Sequence, residues 1–230
     1  AVSMAYGISV IIPAFNEEKS IGYVLNDLPQ EKLSEIIVVN NACTDNTVDV
    51  AKSHGARVVE EAHRGYGSAC LKGISELNNP NIVVFIDADY SDYPGELEKL
   101  VEPIKAGDAD FVLGSRMILP DSRAALLPQA RYGNQLATFL IGLFFGHHFT
   151  DLGPFRAIRY DSLKEIGMVD TNFGWTVEMQ VKAVKHGLRI MEIPVRYRKR
   201  IGASKITGTV SGTFKAGMKI LYTIFKYLLL

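Results

Sequence analysis

The chain has 230 residues, of which 47% are hydrophobic and 22% are charged, a balance typical of a globular protein with one large domain or two small ones. Its 25 basic and 25 acidic side chains leave no net charge, which argues against a general nucleic-acid-binding protein. The two cysteines, Cys43 and Cys70, have neither the spacing of a zinc site nor the number typical of a disulfide framework. We therefore expect free thiols in a reducing compartment.

Strand-like and helix-like segments alternate along the first half of the sequence. Short apolar runs indicate buried strands, and the polar turns after them lead into segments with helical periodicity. The predicted strands are residues 8–12, 35–39, 57–60, 82–86 and 111–114, and the predicted helices are residues 20–28, 44–54, 68–77 and 94–105. Repeated β-α units with short connections indicate an α/β fold in which a mostly parallel central sheet is flanked by helices.

Segments that contain several polar side chains follow three of these strands, at 13–18, 40–45 and 87–89. The ligand crevice of such a sheet lies beyond the carboxyl ends of its strands, so we expect the three segments to meet there. Asp87-Ala88-Asp89 is the most informative of them, because two neighbouring carboxylates repel each other unless a cation lies between them. The pattern indicates a hard divalent cation, Mg²⁺ or Mn²⁺, whose remaining positions take phosphate oxygens. A solvated acidic turn is the alternative interpretation of this motif alone.

The turn after the first strand, residues 13–18, contains no glycine. A dinucleotide-binding fingerprint or a P-loop needs glycines at this point so that the backbone can approach phosphate closely. Both of these nucleotide-binding classes are therefore disfavoured. Sugar nucleotidyltransferases are disfavoured by the same absence.

Three motifs in combination resemble family 2 glycosyltransferases, which have a GT-A fold: residues 11–18, residues 38–47 and Asp87-Ala88-Asp89. Gly114-Ser115-Arg116, after the fifth strand, narrows the resemblance to the dolichyl- or polyprenyl-phosphate hexosyltransferase branch. The resemblance covers about residues 8–208. It implies that the protein binds a nucleotide sugar and a divalent cation and transfers a hexose with inversion.

The resemblance also implies roles for individual residues. Those expected to contact the nucleotide sugar are Pro13, Phe15, Glu17, Val39, Asn41, Asp87, Ala88, Asp89, Arg116 and Lys205. Asp87 and Asp89 are the predicted metal ligands, and Asp89, Arg116 and Lys205 are candidate catalytic residues at the diphosphate or the acceptor phosphate. Asn40-Asn41 stands where this branch usually has one or two aspartates, which leaves UDP-glucose and GDP-mannose both open as donors.

The second half of the sequence is expected to recognise the acceptor. Arg156, in a segment that resembles the acceptor region of these enzymes, is equally well interpreted as part of a structural ion pair. Glu178 matches the position of a catalytic acid in many family 2 enzymes, so it is a fourth candidate catalytic residue, a base for a hydroxyl acceptor. A glutamate in a first helical turn also stabilises the helix dipole, and a phosphate acceptor needs no base. In that case Glu178 would only position other groups.

A basic cluster follows, formed by Arg196, Arg198, Lys199, Arg200 and Lys205. We interpret it as a mobile loop that closes over the diphosphate, with a solvated charged loop as the alternative. Residues 209–230 read as an amphipathic helix that either packs on the domain or lies in a membrane interface. No apolar run reaches the ~18 residues needed to span a bilayer.

The predicted organisation is therefore an added or disordered start at 1–7, a GT-A glycosyltransferase domain at 8–208 and the amphipathic helix at 209–230. We expect transfer of glucose or mannose to a polyprenyl or dolichyl phosphate by a peripheral protein on the cytoplasmic face of a membrane. One alternative is a soluble family 2 enzyme with a hydroxyl acceptor and Glu178 as base. The other is a nucleotide-sugar-binding module without turnover. The oligomeric state is not readable.

Overall fold

A computed structural model describes residues 6–202 and 210–230. Over these residues the strands are β1 (Ile8–Ala14), β2 (Glu35–Asn40), β3 (Arg57–Glu60), β4 (Ile82–Phe85), β5 (Phe111–Ser115), β6 (Arg156–Arg159) and β7 (Ile190–Pro194). The α-helices are α1 (Ile21–Asp27), α2 (Thr47–Ser53), α3 (Tyr66–Ser75), α4 (Leu97–Lys105), α5 (Pro120–Ala125), α6 (Pro128–Phe145), α7 (Tyr160–Ile166), α8 (Trp175–Lys185) and α9 (Val210–Leu229).

The described strands form one seven-stranded sheet in the order β3-β2-β1-β4-β6-β5-β7. All neighbours are parallel except β6, which runs antiparallel to both β4 and β5. The predicted α/β class with a mostly parallel sheet is confirmed, and so are the first five strands. The sequence did not predict β6 and β7, since arginines bound β6 and a glutamate and a proline interrupt the apolar pattern of β7.

Helices cover both faces of the sheet, so its central strands are buried on each side. Every residue of β1 and β4 is buried. Alternation along β1 sends Val10 and Ile12 into the core beneath α1 and α4, whereas Ile11 faces the core beneath α3, α6, α8 and α9. This two-sided burial explains why the strands appear in the sequence as continuous apolar runs.

The last helix, α9, packs against α6 and α8 through one of its faces. Thr223, Ile224 and Tyr227 are buried there, and the rings of Phe144 and Phe225 lie 5.6 Å apart. The outer faces of α6 and α9 leave a group of large apolar side chains exposed, which we call the α6–α9 apolar face. Its members are Tyr132, Leu136, Phe139, Leu143, Phe214, Met218, Tyr222, Phe225, Leu228 and Leu229. Within the described part of the chain, no helix combines the length and apolar content required to cross a bilayer.

Candidate active site

Two adjoining cavities open at the carboxyl ends of the parallel strands. The first has a volume of about 370 Å³. It is lined by Pro13, Ala14, Phe15, Glu17, Asn41, Arg64, Gly65, Tyr66, Ala69, Asp87, Ala88, Asp89, Asn172, Phe173 and Arg200. The segments that follow β1, β2 and β4 therefore converge, as the sequence predicted.

The second cavity, of about 580 Å³, shares Tyr66, Asp87, Asp89, Asn172, Phe173 and Arg200 with the first. One part of its wall is cationic, from Arg116, Arg198, Lys199 and Arg200. Another part is apolar, from Ala125, Leu126, Leu127, Ala130, Leu152, Pro154 and Ala216. The two cavities thus meet at Asp87 and Asp89, with a charged and apolar chamber beyond them.

The carboxylates of Asp87 and Asp89 lie close enough to disturb each other. Burial, and then the negative charge of Asp89, raise the pKa of Asp87 to about 7. The hydroxyl of Tyr66 donates a hydrogen bond of 2.9 Å to Asp87 Oδ1. Asp89 Oδ1 accepts hydrogen bonds from the backbone N–H of Ser91 (3.0 Å) and from its hydroxyl (2.5 Å). Ser91 therefore orients the Asp89 carboxylate through both its backbone and its side chain.

Arg200 connects the two sides of this site. Its Nη1 lies 3.3 Å from Asp89 Oδ2, and its Nη2 lies 2.6 Å from Glu17 Oε1. The backbone N–H of Ile201 donates to the carbonyl of Asp89 at 3.0 Å. The sequence placed Arg200 only within a basic cluster and did not single it out, because its approach to Asp89 depends on how a distant segment folds back over the sheet edge.

The donor set fits a hard divalent cation that uses few protein ligands. Among the described residues no group of three or more His, Cys, Asp or Glu side chains is arranged to hold a metal ion. Mg²⁺ is commonly bound by one or two carboxylates together with water and substrate phosphate oxygens. Asp87 and Asp89 supply such a pair, and a cation would offset the repulsion that raises the pKa of Asp87.

A third carboxyl group beside this pair was missed in the sequence. Asp92 is 1% exposed, and neither of its oxygens has a hydrogen-bond partner among the described residues. Burial, and then the charge of Asp87, raise its pKa well above the usual range of aspartate. The run Asp87 to Asp92 reads as one acidic turn, so the sequence gives no signal that distinguishes the deeply buried Asp92.

Arg116 is held rigidly at the wall of the second cavity. Its Nε and Nη2 lie 2.8 Å and 2.9 Å from the two oxygens of Asp151, which also accept its backbone N–H at 2.9 Å. Asp151 is fully buried and accepts a further hydrogen bond from the amide of Asn134. The predicted phosphate-facing arginine is therefore also half of a buried ion pair, which orients its guanidinium.

Two residues that are expected to contact the nucleotide sugar have surroundings that give them structural roles. Val39 is fully buried in the core and lines neither cavity, so the structure does not support that expectation. Asn41 lines the first cavity, but its Nδ2 donates to the carbonyls of Glu61 (3.1 Å) and His63 (2.8 Å) and its Oδ1 accepts the N–H of Gly65 (2.9 Å). Its amide thus holds the segment that follows β3.

Glu178 lines neither cavity and is fully buried. Its Oε1 accepts hydrogen bonds from the N–H of Val169 (2.9 Å), from Lys182 (2.7 Å) and from the hydroxyl of Tyr227 (2.9 Å). Its Oε2 accepts the N–H of Asp170 at 2.7 Å. A carboxylate enclosed in this way cannot reach an acceptor hydroxyl, so the geometry does not support Glu178 as a base.

Arg156 is likewise structural. It is fully buried, and its guanidinium donates to the carbonyls of Gly153 and Thr176 and to the side chain of Gln180. Of the two interpretations left open by the sequence, the structural one is the better description. The partners are mainly carbonyls rather than the carboxylate of an ion pair.

The described part of the basic cluster is fixed against the segment after β4. The guanidinium of Arg198 lies between the rings of Tyr90 and Tyr93, at 3.6 Å and 4.0 Å from their centroids. Arg196 pairs with Glu96 at 2.8 Å. Arg196 and Arg198 therefore have partners in the segment after β4, whereas Lys205 lies outside the described residues, so closure of a basic loop over the diphosphate stays a prediction.

Comparisons with known proteins agree with this geometry. The description "Glycosyl transferase family 2" matches residues 9–167. The chain is 36% identical over 210 residues to an uncharacterized glycosyltransferase of Mycobacterium bovis, covering 91% of this chain and 94% of that protein. It is 33% identical over 213 residues to the dolichyl-phosphate hexose transferase of Haloferax volcanii, covering 89% of each.

The fold is also similar to that of solved structures. Glucosyl-3-phosphoglycerate synthase of Mycobacterium tuberculosis, in complex with Mn²⁺, UDP-glucose and phosphoglyceric acid, matches with a TM-score of 0.78 and 21% identity. The match covers 98% of this chain and 80% of that one. It shows a shared GT-A architecture and nothing finer. Together with the family match, it establishes that the chain belongs to glycosyl transferase family 2 and is a glycosyltransferase with a GT-A fold.

Proposed function

We propose that this enzyme transfers a hexose, glucose or mannose, from a nucleotide sugar to a polyprenyl phosphate at a membrane surface, with inversion at the anomeric carbon. The observation that carries the proposal is the second cavity. It joins the first cavity at Asp87 and Asp89 and combines an arginine-lined wall with an apolar wall. A phosphate group attached to a hydrocarbon chain has these two chemical characters.

The α6–α9 apolar face supports a lipid acceptor. Leu127 and Ala130, at the start of α6, and Ala216, in α9, belong to the apolar wall of the second cavity. The same two helices expose the apolar face to the surroundings, and Lys215 and Lys226 lie on α9. Apolar and aromatic side chains with lysines nearby are typical of helices that lie in a membrane interface. We infer a peripheral position on the cytoplasmic face of a membrane.

The first cavity would hold the nucleotide sugar, with Pro13, Phe15, Glu17 and Ala88 in its wall. When bound by Asp87 and Asp89, Mg²⁺ or Mn²⁺ would neutralise charge on the diphosphate and improve it as a leaving group. The complex of the fold neighbour with Mn²⁺ and UDP-glucose supports a cation and a nucleotide sugar in this architecture. Arg200, at the junction of the cavities, and Arg116, in the wall of the second cavity, are positive charges that the chain itself supplies near the diphosphate. We retain the prediction that Lys205 also engages the diphosphate.

The reaction is a single displacement. An oxygen of the acceptor phosphate forms a bond to the anomeric carbon while the bond from that carbon to the diphosphate oxygen breaks, and the electron pair leaves with the nucleoside diphosphate. The attacking oxygen is already anionic, so no general base is needed. A reaction that needs no general base agrees with the burial of Glu178. A hydroxyl acceptor would need a base that Glu178 does not provide.

Product analysis tests the proposal. The purified protein is incubated with UDP-glucose or GDP-mannose, with Mg²⁺ or Mn²⁺, and with a short polyprenyl phosphate or a panel of water-soluble hydroxyl acceptors. We expect a hexosyl phosphodiester of the lipid, found by mass spectrometry, and none without the cation. Transfer to a soluble hydroxyl with no lipid product would contradict the proposal.

Flotation with liposomes tests the membrane part separately. Replacing Phe139, Leu143 and Met218 by serine should reduce binding to anionic vesicles, because the apolar contribution of the exposed face is lost. Nucleotide-sugar binding should be retained because these side chains line neither cavity. Surface substitutions are preferable to deleting residues 214–230, since Ile224 and Tyr227 are part of the core.

A further inference from the structure

The loop formed by residues 169–174 separates the two cavities. Asn172 and Phe173, in this loop, line both of them together with Asp87 and Asp89. If the first cavity holds the donor and the second the acceptor, these two side chains lie where the transferred sugar meets the attacking phosphate. Their position then matters for the geometry of the displacement, which tolerates little error.

Two buried carboxylates fix the backbone of this loop. Asp170 Oδ1 accepts the N–H groups of Asn172 (2.8 Å) and Gly174 (3.1 Å). Glu178 accepts the N–H groups of Val169 (2.9 Å) and Asp170 (2.7 Å). Four backbone hydrogen bonds to charged groups therefore define the loop conformation, and each is stronger than an ordinary neutral hydrogen bond.

Helix α9 contacts both of these carboxylates. The hydroxyl of Tyr227 donates to Glu178 Oε1 at 2.9 Å, and Lys219 Nζ lies 3.1 Å from Asp170 Oδ2. Between them, Thr223 packs against the loop backbone, since a Cβ atom on Gly174 would lie 2.5 Å from Thr223 Oγ1. Three positions on successive turns of α9 thus hold the loop from one side.

The other side of the loop packs against the start of α3. The N–H of Ser68 donates to the carbonyl of Thr171 at 2.8 Å, and a Cβ atom on Gly67 would lie only 2.0 Å from the carbonyl oxygen of Asp170. The neighbouring Tyr66 donates the hydrogen bond that orients Asp87. The contacts from α9 to the loop therefore continue to the predicted metal ligand.

We propose that Glu178 and Asp170 are positioning residues through which α9 fixes Asn172 and Phe173 at the junction of the cavities, so that the seating of α9 sets the rate of transfer. The role of the junction rests on the proposed function, whereas the grip of α9 on the loop rests on the contacts alone. Because the outer face of α9 belongs to the α6–α9 apolar face, a membrane or lipid that presses on this helix acts on the same loop.

Tyr227→Phe tests the contact between α9 and Glu178, because it removes only the hydroxyl oxygen that makes this contact. The matched control is Tyr222→Phe, which makes the same change at an exposed tyrosine of α9. In an assay with a short acceptor in solution, Tyr227→Phe should lower kcat about 3- to 10-fold and change the Kd of the nucleotide sugar less than about twofold. Tyr222→Phe should behave like the parent. Lys219→Gln, compared with Lys215→Gln, repeats the test at the other carboxylate.

The Asn172→Ala background shows whether the effect passes through the loop. There, Tyr227→Phe should lower kcat less than it does in the parent protein, because one of the two side chains that α9 positions is gone. An equal loss in both backgrounds, or equal behaviour of Tyr227→Phe and Tyr222→Phe, would overturn the proposal.

Amide hydrogen exchange provides a second readout that needs no acceptor. The N–H groups of Val169 and Asp170, which donate to Glu178, should exchange faster in Tyr227→Phe than in Tyr222→Phe. If the parent protein transfers nothing to a polyprenyl phosphate, the proposed function fails, while exchange still decides whether α9 holds the loop. Unchanged exchange would overturn the link whatever the acceptor is.

Discussion

The edge formed by β1, β2 and β4 differs from the region formed by α6, α8 and α9 in how its residues reach the site. At the sheet edge, Asp87 and Asp89 follow directly from a buried strand, and neighbours in the sequence are neighbours in the site. In the helical region the important contacts join distant residues, such as Glu178 with Tyr227. The first region presents incompletely compensated charge to a cavity, whereas the second buries its charges in complete networks.

The carboxylate pair at the sheet edge gives the largest expected effect. Asp89→Asn removes a charge from the predicted cation site with almost no change of size, so we expect transfer to fall about 100-fold or more while the fold is retained. Turnover with Mg²⁺ or Mn²⁺ and a circular dichroism melting curve measure the two quantities. Asp49→Asn, at an exposed acid of α2, is the control. Normal turnover by a folded Asp89→Asn protein would remove the metal hypothesis.

Arg116, in the wall of the second cavity, and Arg200, at the junction, allow the regions to be compared directly. Arg116→Ala leaves the fully buried Asp151 without its ion-pair partner, which should lower the free energy of unfolding by about 3–5 kcal/mol. Arg200→Ala should lower transfer with a smaller loss of stability, because its side chain is 24% exposed and its partners line the cavities. Urea unfolding beside initial rates distinguishes the two. Equal stability losses would mean that the Arg116–Asp151 pair is not the anchor described here.

The predicted cation site should also be sensitive to pH. In the cation-free protein the pKa of Asp87 is raised to about 7, so protonation of Asp87 competes with the cation below that value. Affinity for Mg²⁺ or Mn²⁺ should therefore fall as the pH falls through about 7, by up to about tenfold per pH unit. The same raised pKa means that Asp87 contributes stability at low pH that is lost as the pH rises through about 7.

Calorimetric titration across about pH 5 to 8 measures the affinity, and melting curves with and without the cation measure the stability. A saturating cation should remove the stability loss near neutral pH. Affinity that does not change with pH would show that Asp87 stays ionised without a cation, in conflict with the electrostatics of this site.

Asn41 gives a smaller effect that separates folding from recognition. Asn41→Asp would place a carboxylate against the carbonyls of Glu61 and His63, so we expect a loss of about 1–3 kcal/mol in stability. Asn46→Asp, at an exposed position, is the matched control and should have little effect. An unchanged or increased stability of Asn41→Asp would show that the amide is not required to hold the segment after β3.

The same contrast explains what the sequence predicted. The first five strands and the convergence of 13–18, 40–45 and 87–89 follow from local apolar runs and from the rule that parallel strands end at one edge. The burial of Glu178, the ion pair of Arg116 and the insertion of β6 between β4 and β5 depend on contacts between residues far apart in the chain. No local pattern specifies such contacts. For this reason Val39 and Glu178 were assigned by resemblance to roles that their surroundings do not support.

Filling the second cavity tests the central claim most directly. Ala130→Trp places a large ring in its apolar wall, and Gln135→Trp places the same ring on an exposed position of α6. We predict that Ala130→Trp raises the KM for a polyprenyl phosphate, or lowers transfer, by about tenfold or more, while the Kd of the nucleotide sugar stays within about twofold of the parent value. Gln135→Trp should match the parent in both. Unimpaired lipid transfer by a folded Ala130→Trp protein would contradict the assignment of the two cavities. So would a variant that binds the nucleotide sugar more weakly but keeps the parent's KM for the polyprenyl phosphate.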